Sequence, residues 1–223
     1  MKRIIILITV ISSTIVHSAE SRRRVFKNTA TEEEQPKPKI RLQIFFESKC
    51  PDSKRFFGNQ LTPMMNKIGD YIELELHPYG KATTNQTTGE FKCQHGPSEC
   101  ALNKIDACGI ARLNEGTEQT LFVNCMFENS NIPQAVAGQY CCDQHKLDWT
   151  KEVQPCSEGT EGTELHRKHG EETHSLNPPV TWVPVIILNN KRGDEEYQKI
   201  LTNYVFQETC SQLTKMNNRP PGC

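Results

Sequence analysis

One short span constrains the fold more than any other. Residues 40–47 are rich in Ile and Phe and read as a strand. Residues 53–68 place Phe56, Phe57, Leu61, Met64, Met65 and Ile68 near helical spacing, and residues 71–76 alternate apolar and polar as a second strand. A strand, a helix and a strand joined this closely predict a parallel pair with a right-handed crossover. Pro63 predicts a kink or an early end to the helix. His77-Pro78-Tyr79-Gly80 then turns the chain. At the joint between first strand and helix stands Cys50-Pro51-Asp52-Ser53.

A Cys-x-x-Cys pair at such a joint is the redox site of thioredoxin-like folds. Here Ser53 replaces the second cysteine. Cys50 at the helix N-terminus meets the positive end of the helix dipole, which favours thiolate. Lys49, Lys54 and Arg55 add positive charge, and Asp52 opposes it. A thiolate there can attack a disulfide and form a mixed disulfide. A hydroxyl at Ser53 cannot resolve it and at best donates a hydrogen bond to Cys50. Release then needs an external thiol such as glutathione, or a thiol on the substrate. The plainer reading of Cys50 is a structural half-cystine.

The chain begins with Lys2-Arg3 and an apolar stretch over 4–16, the pattern of a signal peptide with cleavage after Ser18 or Ala19. That stretch is short for a membrane span, and no later segment reaches its length. Residues 20–39 are polar and predict a disordered tail or pro-segment. The ordered domain is expected over 40–223. Ten cysteines, all beyond the leader, suit an oxidising compartment. A formal net charge of −1 and a pI of about 6.7 exclude a basic nucleic-acid footprint, and Arg22-Arg23-Arg24 reads as part of the solvated tail. Asn85-Gln86-Thr87 is a glycosylation sequon and marks an exposed loop.

Residues 81–176 are polar and cysteine-rich, with helices expected over 103–113, 121–127 and 147–153. This block reads as a helical insertion stapled by disulfides. Residues 183–188 read as a buried strand with Pro184 at its mouth, Asn189-Asn190 as a turn and 195–209 as a last helix. In thioredoxin-like folds a cis proline precedes a strand beside the reactive cysteine, and its neighbour's backbone pairs with substrate. That assigns substrate binding to Pro184 and Val183.

Cys93-Gln94-His95-Gly96-Pro97-Ser98-Glu99-Cys100 is followed by Asn103 and Cys108. Read bare, Cys93, His95, Cys100 and Cys108 suggest zinc, but an oxidising compartment favours two disulfides, and no metal is expected. This motif resembles the signature of the gamma-interferon-inducible lysosomal thiol reductase (GILT) family. The resemblance spans roughly residues 40–223, including the Cys50 unit, His77-Pro78-Tyr79-Gly80, Val183-Pro184 and the terminal Cys210 and Cys223. It implies an α/β thioredoxin-like fold with a helical insertion, and reduction of protein disulfides in acidic endosomes and lysosomes. The family's reactive pair maps to Cys50 and Ser53, and its cis proline to Pro184.

Setting Cys50 aside leaves nine cysteines, which cannot all pair. The resemblance calls for one cysteine at Cys141-Cys142, and the spacing to Cys156 favours Cys142. The expected disulfide set is therefore Cys93, Cys100, Cys108, Cys125, Cys142, Cys156, Cys210 and Cys223, in a connectivity the sequence does not choose. Cys141 is left as a free thiol, an interchain link in a disulfide-linked dimer, or a partner for Cys50. His166, His169 and His174 read as part of a solvated helix or loop, although histidines titrate in the endosomal range.

Two functions follow. One is a secreted oxidoreductase with a monothiol site, acting on disulfide-containing or extracellular proteins with no cofactor beyond a small thiol such as glutathione. The other is a catalytically inactive secreted glycoprotein that binds proteins or cell surfaces. The expected location is extracellular, with the lysosome as the alternative.

Overall fold

The computed structural model describes residues 38–223. The expected leader over 1–19, the arginine cluster and almost all of the expected 20–39 tail lie outside the described residues. Three strands form the main sheet, in the order β2–β1–β5: β1 Ile40–Phe46, β2 Ile72–Pro78 and β5 Val185–Leu188. β1 runs parallel to β2, with Ile40 opposite Ile72 and Phe45 opposite His77. It runs antiparallel to β5, with Ile44 opposite Ile186.

The two-residue period of a strand splits β1 between two faces. Ile40, Leu42, Ile44 and Phe46 enter the large core. Phe45 packs with Val185 and Ile187 on the other face. There Arg41 and Gln43 both bond the Glu75 carboxylate on β2.

The expected crossover is present but is not kinked at Pro63. α1 Pro51–Phe56 passes through one π turn, Phe57–Leu61, into α2 Thr62–Ile68. In the π turn the hydrogen bonds reach one residue further, so that Thr62 N–H bonds the Phe57 carbonyl. Pro63 then falls in the first turn of α2, where a missing N–H is tolerated. Phe56, Phe57, Leu61, Met64, Met65 and Ile68 all reach the core.

A small hairpin follows, β3 Thr83–Thr84 and β4 Phe91–Lys92. Asn85 is exposed in its loop, and its Oδ1 accepts from the N–H groups of Thr87 and Thr88. Five helices then lie between the hairpin and β5: α3 Pro97–Arg112, α4 Gly116–Glu128, α5 Gln134–Gln144, α6 Gln154–Glu158 and α7 Thr160–His174. A second π turn, Trp149–Val153, precedes α6. Asn189 and Asn190 turn the chain with positive φ. α8 Glu195–Lys215 is longer than the sequence pattern suggests, and a Cys210–Cys223 disulfide ties the terminus to it.

Gln198 of α8 stands against the outer edge of β5. Its Oε1 accepts from the Ile186 N–H at 2.9 Å, and its Nε2 donates to the Ile186 carbonyl at 2.7 Å. One side chain thus supplies the bonds a further strand would make.

The insertion is stapled, but not as the cysteine spacing suggests. Cys108 pairs with Cys156 and Cys125 with Cys141, while Cys142 is free. Cys125 on α4 and Cys141 on α5 face one another with Cα atoms 5.7 Å apart. The next helical residue is turned by about 100°, which puts Cys142 into the core instead. Burial pushes its thiol up to about 12. The interchain link and the Cys141–Cys50 bridge both fall away, because Cys141 is already paired and buried.

Candidate active site

β1 ends at Phe46, and Glu47, Ser48 and Lys49 lead to Cys50, the N-cap of α1. Cys50 is a free thiol, 8% exposed. Its N–H donates to the Glu47 carbonyl, and its carbonyl accepts from Lys54 N–H, so the backbone on both sides is fixed. Its Sγ–H donates to the Val183 carbonyl at 3.7 Å. The Val183–Pro184 peptide is cis. The structure therefore brings Cys50, Val183 and Pro184 together from opposite ends of the domain.

Ser53 is buried, and its Oγ has no hydrogen-bond partner. A buried hydroxyl without a partner is costly, and a thiol tolerates such a place better. The nearby charges are engaged elsewhere. Arg55 pairs with Asp52, Lys54 with Glu128, and Lys49 reaches Ser98.

Behind the cysteine lies a polar cluster that sequence reading missed. Asn103 Oδ1 accepts from Ser48 N–H at 3.0 Å and sits 2.6 Å from Ser48 Oγ. Ser48 Oγ is also 2.6 Å from Asp106 Oδ2. One hydroxyl proton cannot serve two acceptors. Both short contacts are met when Ser48 donates to Asn103 and a protonated Asp106 donates to Ser48. Burial pushes the Asp106 carboxyl up to about 8, which agrees.

The cysteine-rich motif has a place in the same frame. Cys93 pairs with Cys100, so neither this pair nor Cys108 is a zinc ligand. His95 N–H donates to Glu99 Oε1 at 3.0 Å, and His95 Nδ1 lies 2.5 Å from Glu99 Oε2. Glu47 Oε1 accepts from Lys81 N–H at 2.6 Å. Burial raises the Glu47 carboxyl. Gly80, at positive φ, passes so close that a Cβ would lie 2.2 Å from Glu47 Cγ. The motif fastens α3 to the loop that carries Cys50. Asn103 was visible in it; Glu47, Ser48 and Asp106 carry no sequence signal of their own.

A groove of about 400 Å³ opens beside the site between α1 and α8. Asp52, Phe56, Trp182, Val183, Pro184 and Lys199 are among its walls. Cys50 meets it through Val183. Trp182 is 38% exposed.

The three histidines are not a solvated set. His166 is fully buried on α7 and donates through Nδ1 to the Pro78 carbonyl, and burial pushes it down to about 4. His169 is half-buried against His77. His174 is the exposed one, and its Nε2 reaches the Ala82 carbonyl.

Strand, free cysteine at a helix N-terminus, and a cis proline just before the adjoining strand define a thioredoxin-like thiol oxidoreductase scaffold. The fold comparison agrees. Chlamydia trachomatis DsbA superposes with a TM-score of 0.56 over 82% of this chain and 89% of that one, at 11% identity. A thioredoxin-like oxidoreductase from Silicibacter pomeroyi gives 0.50 over 81% and 89%. The family model for gamma interferon inducible lysosomal thiol reductase (GILT) matches residues 41–145. A GILT-like protein of Anopheles gambiae is 32% identical over 79% of this chain and 78% of its own. The Carassius auratus gamma-interferon-inducible lysosomal thiol reductase is 32% identical over 82% and 72%. The chain belongs to the GILT family.

Proposed function

We propose that this protein is a secreted GILT-family oxidoreductase reduced to monothiol chemistry. Cys50 thiolate attacks one sulfur of a substrate disulfide, and the other sulfur leaves as a thiolate. The resulting Cys50–substrate disulfide is resolved by an external thiol such as glutathione, which takes the substrate sulfur and returns Cys50 as thiolate. Ser53 carries this reading, because it occupies the resolving position without a thiol. The other free thiol, Cys142, is sequestered in the core. Val183 and Pro184 present backbone to an extended substrate along the adjoining groove.

The leader over 1–19, the cysteine content and the exposed Asn85 support a secreted glycoprotein, with the lysosome as the alternative address. Among the described residues no helix is long and apolar enough to cross a membrane. Disulfide-containing or extracellular proteins are the partners this chemistry selects.

The burial of Cys50 and its bond to Val183 favour a second reading, an inactive scaffold that binds through the groove. Incubation with a disulfide-bonded test protein separates the two. The monothiol reading expects a mixed disulfide at Cys50 that glutathione clears and Cys50→Ala abolishes. Ser53→Cys should convert trapping into turnover with a dithiol reductant. Absence of both the mixed disulfide and Cys50 alkylation would leave the binding role.

A further inference from the structure

The face of the sheet opposite the large core carries a cluster that the redox chemistry does not use. His77 is the penultimate residue of β2, and His169 and Glu172 are one turn apart on α7. Their Nδ1, Nδ1 and Oε2 atoms converge. His77 Nδ1 lies 2.6 Å from Glu172 Oε2 and 3.4 Å from His169 Nδ1, and His169 Nδ1 lies 3.9 Å from Glu172 Oε2. The point equidistant from the corners of that triangle is about 2.0 Å from each, the length of a zinc–imidazole or zinc–carboxylate bond. We propose that His77, His169 and Glu172 bind one divalent ion of the zinc type.

Hydrogen bonding alone leaves this cluster unsatisfied. Two ring nitrogens face each other, and at most one proton fits between them. If His77 Nδ1–H donates to Glu172, the His169 Nδ1 lone pair still points into the triangle. His77 Nε2 is buried without a hydrogen-bond partner. Glu75 Oε2 stands 3.8 Å from it, held in place by Arg41 and Gln43. With an ion on Nδ1, the Nε2–H would face that carboxylate, the outer-shell arrangement that orients metal-bound histidines. Phe45 stacks on the His77 ring at 4.3 Å and fixes its plane.

Two imidazoles and one carboxylate suit zinc, copper or nickel better than calcium or magnesium. Three protein ligands leave a coordination position for water. The ion would join the end of β2 to α7. Glu47, His95 and Glu99 also lie close together. There the ion pair and backbone bond between His95 and Glu99 already account for the geometry.

The test uses the mature chain, stripped with chelator and titrated with zinc chloride against a chromophoric competitor. One equivalent should bind. His169→Asn and Glu172→Gln should each weaken binding by about 100-fold or more, and Glu75→Gln by about 10-fold, as for an outer-shell partner. His95→Asn and alkylation of Cys50 should leave binding unchanged. Cobalt in place of zinc should give visible ligand-field bands without the near-ultraviolet band of a thiolate. Sub-stoichiometric binding, binding that survives both ligand substitutions, or a thiolate band overturns the proposal. Should His169→Asn fail to fold, Glu172→Gln decides, since that side chain is 38% exposed.

Discussion

Asp106→Asn is expected to stabilise this protein at neutral pH and leave it almost unchanged in acid. In the folded chain burial favours the protonated Asp106 carboxyl, whose Oδ2 lies 2.6 Å from Ser48 Oγ. Burial raises it from 3.8 to about 8. A raised acid binds more protons folded than unfolded between those two values, so stability falls as pH rises through that window. The slope is about 1.4 kcal/mol per pH unit for one group. From pH 5.0 to 7.5 the wild type should therefore lose about 3 kcal/mol through this residue alone. Asparagine offers an N–H where the protonated acid offers an O–H, and it does not titrate. Urea unfolding with disulfides intact, followed by tryptophan fluorescence, should show the two proteins within about 1 kcal/mol at pH 5.0, the usual scale of a conservative change. At pH 7.5 the variant should lead by about 2–3 kcal/mol. Parallel pH curves, or a variant less stable at pH 7.5, would mean that Asp106 is ionised in the fold and that the proton assignment is wrong.

The remaining expectations concern packing and covalent links. Peptide mapping without reduction should return a Cys125–Cys141 peptide. Cys141→Ala should cost about 3 kcal/mol by freeing a loop of that size, whereas Cys142→Ala should cost about 1 kcal/mol and keep four disulfides. Gly109→Ala should lower stability by about 1–3 kcal/mol, because its Cβ would lie 2.1 Å from Phe122 Cε1; an unchanged melting temperature would contradict that close packing. Gln198→Ala should cost about 2–4 kcal/mol by stranding the Ile186 N–H and carbonyl, with faster amide exchange at Ile186 as the local readout.

The redox unit was legible because its signals are short-range. Strand alternation, helical spacing and the Cys50 tetrapeptide all lie within 40–78, and the strand–helix–strand unit stands nearly where the pattern puts it. Pro63 misled because a π turn upstream shifts the hydrogen-bond register, which no local propensity announces. α7 was not recognised as a packed helix because its inward face has almost no apolar residues. Gly162, His166, Gly170 and Thr173 are buried there at roughly four-residue intervals. Small residues let the helix approach closely; a Cβ on Gly170 would lie 2.5 Å from the Tyr79 ring. Hydrophobic periodicity sees none of this. Cys141 and Cys142 differ only in which face of α5 they occupy, and α5 was itself unpredicted. Asp106 owes its raised carboxyl to burial beside Ser48, 58 positions away in sequence, and only the fold puts the two in contact.

The Gln198 side chain has a consequence for assembly. A bare outer edge of Val185–Leu188, apolar throughout, would be a template on which another chain could extend the sheet. The amide fills the donor and acceptor at the middle of that edge, so an incoming strand finds no continuous ladder there. The protein keeps a sheet of three strands from recruiting a fourth from its neighbours. Upstream, in the turn before Pro184, the Val183 carbonyl faces the Cys50 thiol instead.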